Sequence, residues 1–226
     1  MLPACVILDL DDTLFLERDY VTSGLTAVGE YVRRALGCEG FAEIATRMFN
    51  DGVRGDTFNR ALAELGVADD PDMIGDLVAT YRRHEPSIDL EPDARRLISG
   101  LRGHYVGVVT DGPLDSQRAK ARAVGAPGWA SLVICTAELG PGFGKPHPRA
   151  FAMHQVASGR SGAACVYVAD NPAKDFAGPK SLGWSTVRLR RPDSLHAQVP
   201  SDALVDREII SLDELATTGA IRPPRH

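Results

Sequence analysis

The chain has 226 residues, of which 44% are hydrophobic, with 25 Lys and Arg against 30 Asp and Glu and a formal net charge of −5. That length allows one large domain, or a domain with an insertion, and a sizeable buried core. The acidic balance excludes a general nucleic-acid binder, which would carry a basic face, and no apolar run reaches the length of a membrane span.

The first apolar run, Val6-Ile7-Leu8 within a predicted strand Ala4–Leu8, ends in Asp9, Asp11 and Asp12, followed by Thr13. Such a run reads as a buried strand of a parallel sheet. Its carboxyl end is where ligands bind in open α/β sheets. Carboxylates crowded there raise each other's pKa unless a positive charge compensates. Mg²⁺, a hard cation that prefers oxygen ligands, suits that task.

From about Phe15 to Glu91 the pattern is helical only, with predicted helices Val21–Leu36, Phe41–Asn50, Thr57–Leu65 and Asp72–His84. Turns fall near Gly37, Gly55 and Gly66, and Pro86 and Pro92 mark the return. The interval is too long for a simple crossover. It reads as a helical bundle inserted between the first and second sheet strands.

Further strands are predicted at Tyr105–Val109, Leu132–Cys135, Cys165–Ala169 and Ser185–Leu189. Helices Pro113–Val124, Pro148–Ser158 and Pro172–Leu182 alternate with them, as βαβ units demand. Each helix begins near a proline, and Gly125 and Gly183 stand where C-terminal caps belong. Glu208–Ile210 reads as a last strand, with Ser211 capping a short helix, and Ile221–His226 as a loose tail. Cys5, Cys135 and Cys165 lie in apolar runs and Cys38 beside a glycine; none forms a CxxC pair, so buried, inert thiols in a reducing compartment are expected.

Three more strand ends carry chemistry. In YVGVVTDG, apolar alternation stops at Thr110, Asp111 and Gly112, where a hydroxyl and free backbone N–H groups suit a phosphate oxygen. In ELGPGFGKPHPRAF, a Gly-rich loop delivers Lys145 to a helix start, where it can hold a phosphoryl group as a point cation. In CVYVADNPAKDF, Asp170 ends a β-rich run and Asp175 follows in the next turn, close enough to aim both at one metal. Taken singly each has an ordinary reading: a turn, a solvated lysine, a helix N-cap by Asp170 or Asn171 before Pro172.

In order at four strand ends, Asp-x-Asp-x-Thr, Thr-Asp-Gly, Lys-Pro and Asp-Asn-(x)₃-Asp resemble the haloacid dehalogenase-like superfamily, mostly phosphohydrolases, over roughly Val6 to Leu189. The resemblance implies an α/β fold, a Rossmann-like parallel sheet flanked by helices, with residues 1–14 and 93–226 as core and 15–92 as an all-helical cap. It implies that Asp9 attacks phosphorus to form an aspartyl-phosphate. Asp11 would protonate the leaving oxygen and then deprotonate water; strict two-residue alternation would point it the same way as Asp9. Thr110, Asp111, Gly112 and Lys145 would hold the phosphoryl oxygens. Mg²⁺ would lie on Asp9, the Asp11 carbonyl and Asp170, with Asp175 nearby. Ala169 stands where the family often has Gly, a change an extended backbone tolerates.

Having Asp11 favours phosphoryl chemistry over dehalogenation, since halide leaves without a proton, but a phosphomutase keeps the same core. A signalling receiver module, the rival class, needs an acceptor Asp after the third strand, where Thr136 and Glu138 stand. The expected partner is a small phosphorylated metabolite, with no nucleic acid and no membrane, in the cytoplasm, because the N-terminus lacks the basic start of a signal peptide. The cap would move as a lid hinged near Leu16–Glu17 and Glu91–Pro92, its specificity set by residues such as Arg18, Tyr20, Ser23, Asn50, Arg54 and Arg60. Oligomeric state is not written in these patterns.

Overall fold

The structure, a computed structural model, describes residues 5–68 and 70–217. Ala4 of the first predicted strand and the Ile221–His226 tail lie outside the described residues. The chain divides into two compact units, Met1–Arg18 with Ile88–His226, and Asp19–Ser87. The first holds a six-stranded sheet built from β1 (Cys5–Leu8), β2 (Tyr105–Thr110), β3 (Leu132–Cys135), β4 (Cys165–Ala169), β5 (Ser185–Leu189) and β6 (Arg207–Ile209). Every neighbouring pair is parallel, and the order is β3-β2-β1-β4-β5-β6. β1 and β4 are buried along their whole length, which is why they read as continuous apolar runs. Chain direction across the sheet reverses between β1 and β4, the topological switch point where open α/β sheets bind ligands. One core cluster gathers Ile7, Val109, Ile134, Phe151, Tyr167, Phe176 and Trp184. Within it the Phe151 ring stands edge-on to Tyr167 and Trp184 at 4.8 and 5.7 Å.

The second unit is helical. Its elements are α1 (Glu17–Leu36), α2 (Phe41–Asn50), α3 (Thr57–Glu64) and α4 (Pro71–Arg83). Leu25, Val28 and Val32 recur along one face of α1 and meet Phe41, Ala45, Ala61, Leu62 and Leu77 in a core of their own. The Asp70 side chain caps α4 by accepting from Asp72 N at 3.0 Å, with Pro71 at the first helical position. α1 begins four residues before the predicted Val21, because the Asp12 carboxylate accepts the Glu17 N–H at 2.8 Å and starts the helix from outside its own periodic pattern.

Returning to the sheet unit, the remaining helices are α5 (Pro92–Gly100), α6 (Leu114–Ala123), α7 (Ala126–Trp129), α8 (Arg149–Ser158), α9 (Ala177–Ser181) and α10 (Asp213–Thr217). α5 and α7 were not expected from the sequence. The expected helix over Pro172–Leu182 is a correction, since only Ala177–Ser181 is helical. The Asn171 side chain accepts Ala173 N at 3.0 Å and its carbonyl accepts Asp175 N at 3.1 Å, which coils residues 172–176 into a turn. Cys5, Cys135 and Cys165 are buried as expected, whereas Cys38 is only half-buried. No helix among the described residues is long and apolar enough to cross a membrane.

One buried ion pair ties the sheet unit's loops together. The Arg191 guanidinium donates to both Asp93 oxygens, at 3.0 and 2.7 Å, and to the Thr13 carbonyl at 2.9 Å. Asp93 also accepts Ser211 Oγ and Leu212 N. Burial by itself would raise the Asp93 carboxyl, but these donors hold it below its usual range. Its stabilising contribution is therefore complete above the unfolded-state value of about 4 and is lost as pH falls through the lower folded-state value. Asp93→Asn leaves Arg191 buried without a counter-ion and should cost about 3 kcal/mol of stability. Urea unfolding should show that gap at neutral pH and its closure in strong acid; a pH-independent gap would deny the pair its electrostatic role.

Candidate active site

Asp9 follows β1 directly, and its N–H donates to Val168 O at 3.0 Å, carrying the β1–β4 ladder one residue past the strand. Asp170 leaves the end of the neighbouring β4. Asp175 is brought back to it by the turn after Asn171, whose N–H donates to Asp175 Oδ2 at 2.9 Å. All three carboxyl groups are buried, and each offers an oxygen within 4.8 Å of the others. Like charges so close demand a compensating cation.

Lys145 supplies part of it. Its Nζ lies 2.9 Å from Asp9 Oδ1, 2.7 Å from Asp175 Oδ1 and 3.1 Å from Tyr167 Oη, three acceptors for the three hydrogens of an ammonium. The side chain is 1% exposed, unlike the solvated lysine that is the commoner reading of a loop position. Burial opposes its charge, yet Asp175 and Asp9 raise its pKa well above the usual value. One ammonium does not neutralise three carboxylates. Burial pushes Asp9 up to about 6, with Lys145 pulling down and Asp175 pushing up. Burial, then Asp175 and Asp9, push Asp170 well above the usual carboxylate range. The cluster is short of positive charge, the condition a divalent cation meets.

On the other side of β1, Thr110 ends β2 with its Oγ1 buried and without a hydrogen-bond partner. An unpaired buried hydroxyl is costly and marks a place for a ligand oxygen. Gly112 adopts φ 127°, open only to glycine at low cost, and its carbonyl accepts from the Gln117 side chain. The Asp111 carboxylate accepts from the Thr136 hydroxyl and, at 3.3 Å, from Lys145 N, so it ties the lysine's loop to this turn.

Asp11 does not join the carboxylate cluster. β1 ends at Leu8, so strand alternation does not carry through Asp9 to Asp11. Its carboxylate instead pairs with Lys120 Nζ at 2.6 Å. Asp12 holds the turn at φ 51°, a left-handed conformation that Asp tolerates, and also accepts Leu195 N at 2.7 Å. Glu17 lies near the Asp11–Lys120 pair, and burial followed by Asp11 pushes it up to about 7.

Several contributors were not singled out from the sequence: Lys120, Tyr167, Glu17, Arg188 and His196. Arg188 is fully buried and donates to the Asp170 carbonyl at 3.0 Å and the His196 carbonyl at 2.8 Å. His196 Nε2 is 2.9 Å from Asn171 Nδ2. The alternation of β5 sets Arg188 with Thr186, opposite Val187 and Leu189, where a charge reads as solvent-facing, and nothing local marked the others. Among the six cap residues singled out, Ser23 Oγ accepts Ser87 N, Arg54 donates to the Phe49 and Val53 carbonyls, Arg60 pairs with Asp56, and Tyr20 is buried against Tyr81 and His84. Arg18 and Asn50 are exposed.

A sequence model described as haloacid dehalogenase-like hydrolase matches residues 3–183. The chain is 33% identical over 136 residues to the phosphoserine phosphatase of Thermus thermophilus, covering 59% of this chain but only 53% of that protein, so it spans about half of that relative's length. It is 28% identical over 222 residues to the glyceraldehyde 3-phosphate phosphatase of Methanocaldococcus jannaschii, covering 93% of this chain and 94% of that one. Among solved structures, a hydrolase from Deinococcus radiodurans with bound phosphate and sodium superposes with a TM-score of 0.66 over 98% of both chains at 21% identity.

In chelator, removing one charge from the crowded cluster should stabilise the protein. Asp170→Asn is expected to raise the melting temperature by roughly 2–4 °C, the equivalent of about 1 kcal/mol at this size. Carboxyls raised in the folded state bind protons that the unfolded chain has already lost, so metal-free stability should fall as pH rises from about 4 through the Asp9 value of about 6. Melting curves across that window should flatten in Asp170→Asn; an unchanged slope and a lower melting temperature would refute repulsion at this site.

Proposed function

The chain belongs to the haloacid dehalogenase-like hydrolases, and on that premise we propose that it is a Mg²⁺-dependent phosphohydrolase that cleaves a small phosphomonoester through an aspartyl-phosphate on Asp9. One observation carries the reading. A buried aspartate at the end of the central strand is held by a buried lysine, with an unpartnered threonine hydroxyl at the end of the next strand. Relatives named for phosphoserine and glyceraldehyde 3-phosphate support a small phosphomonoester as substrate.

Asp9 is the nucleophile. The ion pair with Lys145 holds one of its oxygens and leaves the other for phosphorus, and covalent catalysis divides one hard displacement into two. The Thr110 hydroxyl and the backbone N–H groups of Asp111 and Gly112 take the phosphoryl oxygens, donors already in place where charge grows, and the Lys145 ammonium, held by Asp9, Asp175 and Tyr167, serves the phosphoryl group as a fixed point charge beside it. Asp11 gives a proton to the leaving oxygen and then takes one from the attacking water. Asp9, Asp170 and Asp175 offer oxygen ligands close enough to share one cation, a donor set that fits Mg²⁺, and the Asp11 carbonyl would complete it. When bound, Mg²⁺ neutralises charge and polarises the phosphoryl oxygens. We read residues 15–92 as the cap that excludes water and selects the leaving group.

Asp9→Asn should abolish phosphate release, by at least about 10³-fold, while the variant melts like a folded protein, since an amide does not attack phosphorus usefully. Substantial turnover in a folded Asp9→Asn preparation, with deamidation excluded, removes Asp9 as nucleophile. Activity should vanish in chelator, return with Mg²⁺ and return poorly with Ca²⁺, whose larger, looser shell lets Asp9 bind through both oxygens. Full activity after exhaustive chelation would overturn the metal requirement. Across a panel of phosphomonoesters, Arg18→Ala should reorder substrate preference more than it slows turnover of a small generic phosphate ester. Uniform losses in Arg18→Ala would remove Arg18 from substrate selection.

A further inference from the structure

We propose that Lys120 is a positioning residue for Asp11, and that α6 thereby sets the direction from which the leaving group receives its proton. The proposal rests on the phosphohydrolase reading above and extends it to a residue outside the four strand-end motifs.

Asp11 lies beyond the end of β1, so the strand does not aim its side chain. Its one backbone bridge runs to Phe15 within the same loop. The pair with Lys120, at 2.6 Å, reaches it from 109 residues away and fixes it from outside. Both side chains are largely buried, at 10% and 19% exposed. A buried ion pair gains little over apolar groups of the same shape, so stability is not a sufficient account of it.

The same face of α6 carries Gln117, three residues before Lys120 and therefore one turn away. Gln117 donates to the Gly112 carbonyl in the phosphate-holding turn. One short helix thus grips both the turn that takes the phosphoryl oxygens and the group that protonates the leaving oxygen. Lys120 binds Asp11 through Oδ1, which leaves Oδ2 to exchange the proton.

The step it serves balances as follows. The Asp9 oxygen forms a bond to phosphorus, the bond from phosphorus to the ester oxygen breaks with its electron pair on that oxygen, and the proton of Asp11 moves to it. In the second half, the water oxygen bonds to phosphorus, its proton passes to Asp11, and the electron pair of the Asp9–phosphorus bond returns to Asp9.

The test uses two esters, p-nitrophenyl phosphate, whose leaving group needs little protonation, and glycerol phosphate, whose alkoxide needs it. In Lys120→Met, kcat on glycerol phosphate should fall by roughly 30-fold or more with KM little changed, and on p-nitrophenyl phosphate by less than about threefold, within the span of general acid catalysis. Lys120→Arg should recover most of the loss. Lys120→Gln must show the same split if Lys120→Met does not fold. In an Asp11→Asn background the Lys120 change should add nothing, because the two act as one unit. Equal losses on both esters, or a further loss in the Asp11→Asn background, overturns the positioning role and leaves the phosphohydrolase reading intact. Wild-type protein that releases phosphate from neither ester with Mg²⁺ overturns that reading and the proposal together.

Discussion

The site depends on one ammonium. Lys145 is shared between Asp9 and Asp175, and without it three carboxyl groups would stand buried at the ends of two adjacent strands with that shared ion pair lost. That arrangement is the expensive one, since an unpaired buried charge costs several kcal/mol. Tyr167 completes the lysine's acceptors through its hydroxyl, and its ring lies 5.8 Å from the ammonium. The cost that remains, visible in the upward push on Asp9 and Asp170, is what a doubly charged cation and its phosphate ligand are suited to relieve. The charges are therefore in position before any substrate arrives, and little reorganisation is left for the moment of reaction.

The fold lets segments far apart in the chain share that lysine. β1 lies between β2 and β4, so residues leaving the three strand ends are neighbours without further folding. The end of β5 and the segment after it then clamp the loops. Arg191 holds the Thr13 carbonyl, Leu195 N holds Asp12, His196 meets Asn171, and Arg188 holds the Asp170 carbonyl. None of these residues faces phosphorus in the reading given above. They restrict where Asp9, Asp11 and Asp170 can point, which is the supporting role that positioned catalytic groups require.

Most of the parallel sheet was legible because short apolar runs flanked by turn residues have few other readings, and a fully buried strand keeps no polar alternation to confuse them. The four strand-end motifs were legible for the same reason: each follows such a run directly. α5 was hidden because its buried side is narrow, only Asp93, Ala94 and Leu97, and Arg95, Arg96 and Gly100 dilute the pattern. The helix over Pro172–Leu182 was over-read because Pro172 after Asp170 looks like a first helical turn, whereas the Asn171 side chain claims the same backbone groups for a tight turn. Lys120 and Arg188 show a deeper limit. A lysine on a helix and an arginine on a strand are ordinary surface residues until the tertiary structure places a carboxylate or a carbonyl against them.

The central placement of β1 also bears on the order in which the molecule is made. The strand carrying Asp9 is made before both of its partners: β2 and β4 begin about 100 and 160 residues later, at Tyr105 and Cys165. A parallel central strand has no hairpin to close locally, and loop closure must precede its pairing. The helical unit, by contrast, has its own apolar core within Asp19–Ser87 and needs none of the later chain to bury it. During synthesis, then, an apolar, acid-tipped strand waits unpaired while the helices behind it form. The loops that carry Asp12, Thr13 and Asp170 gain these partners only once Arg188, Arg191 and Leu195 have been made, so long-range pairing, not local structure, sets when the site can form.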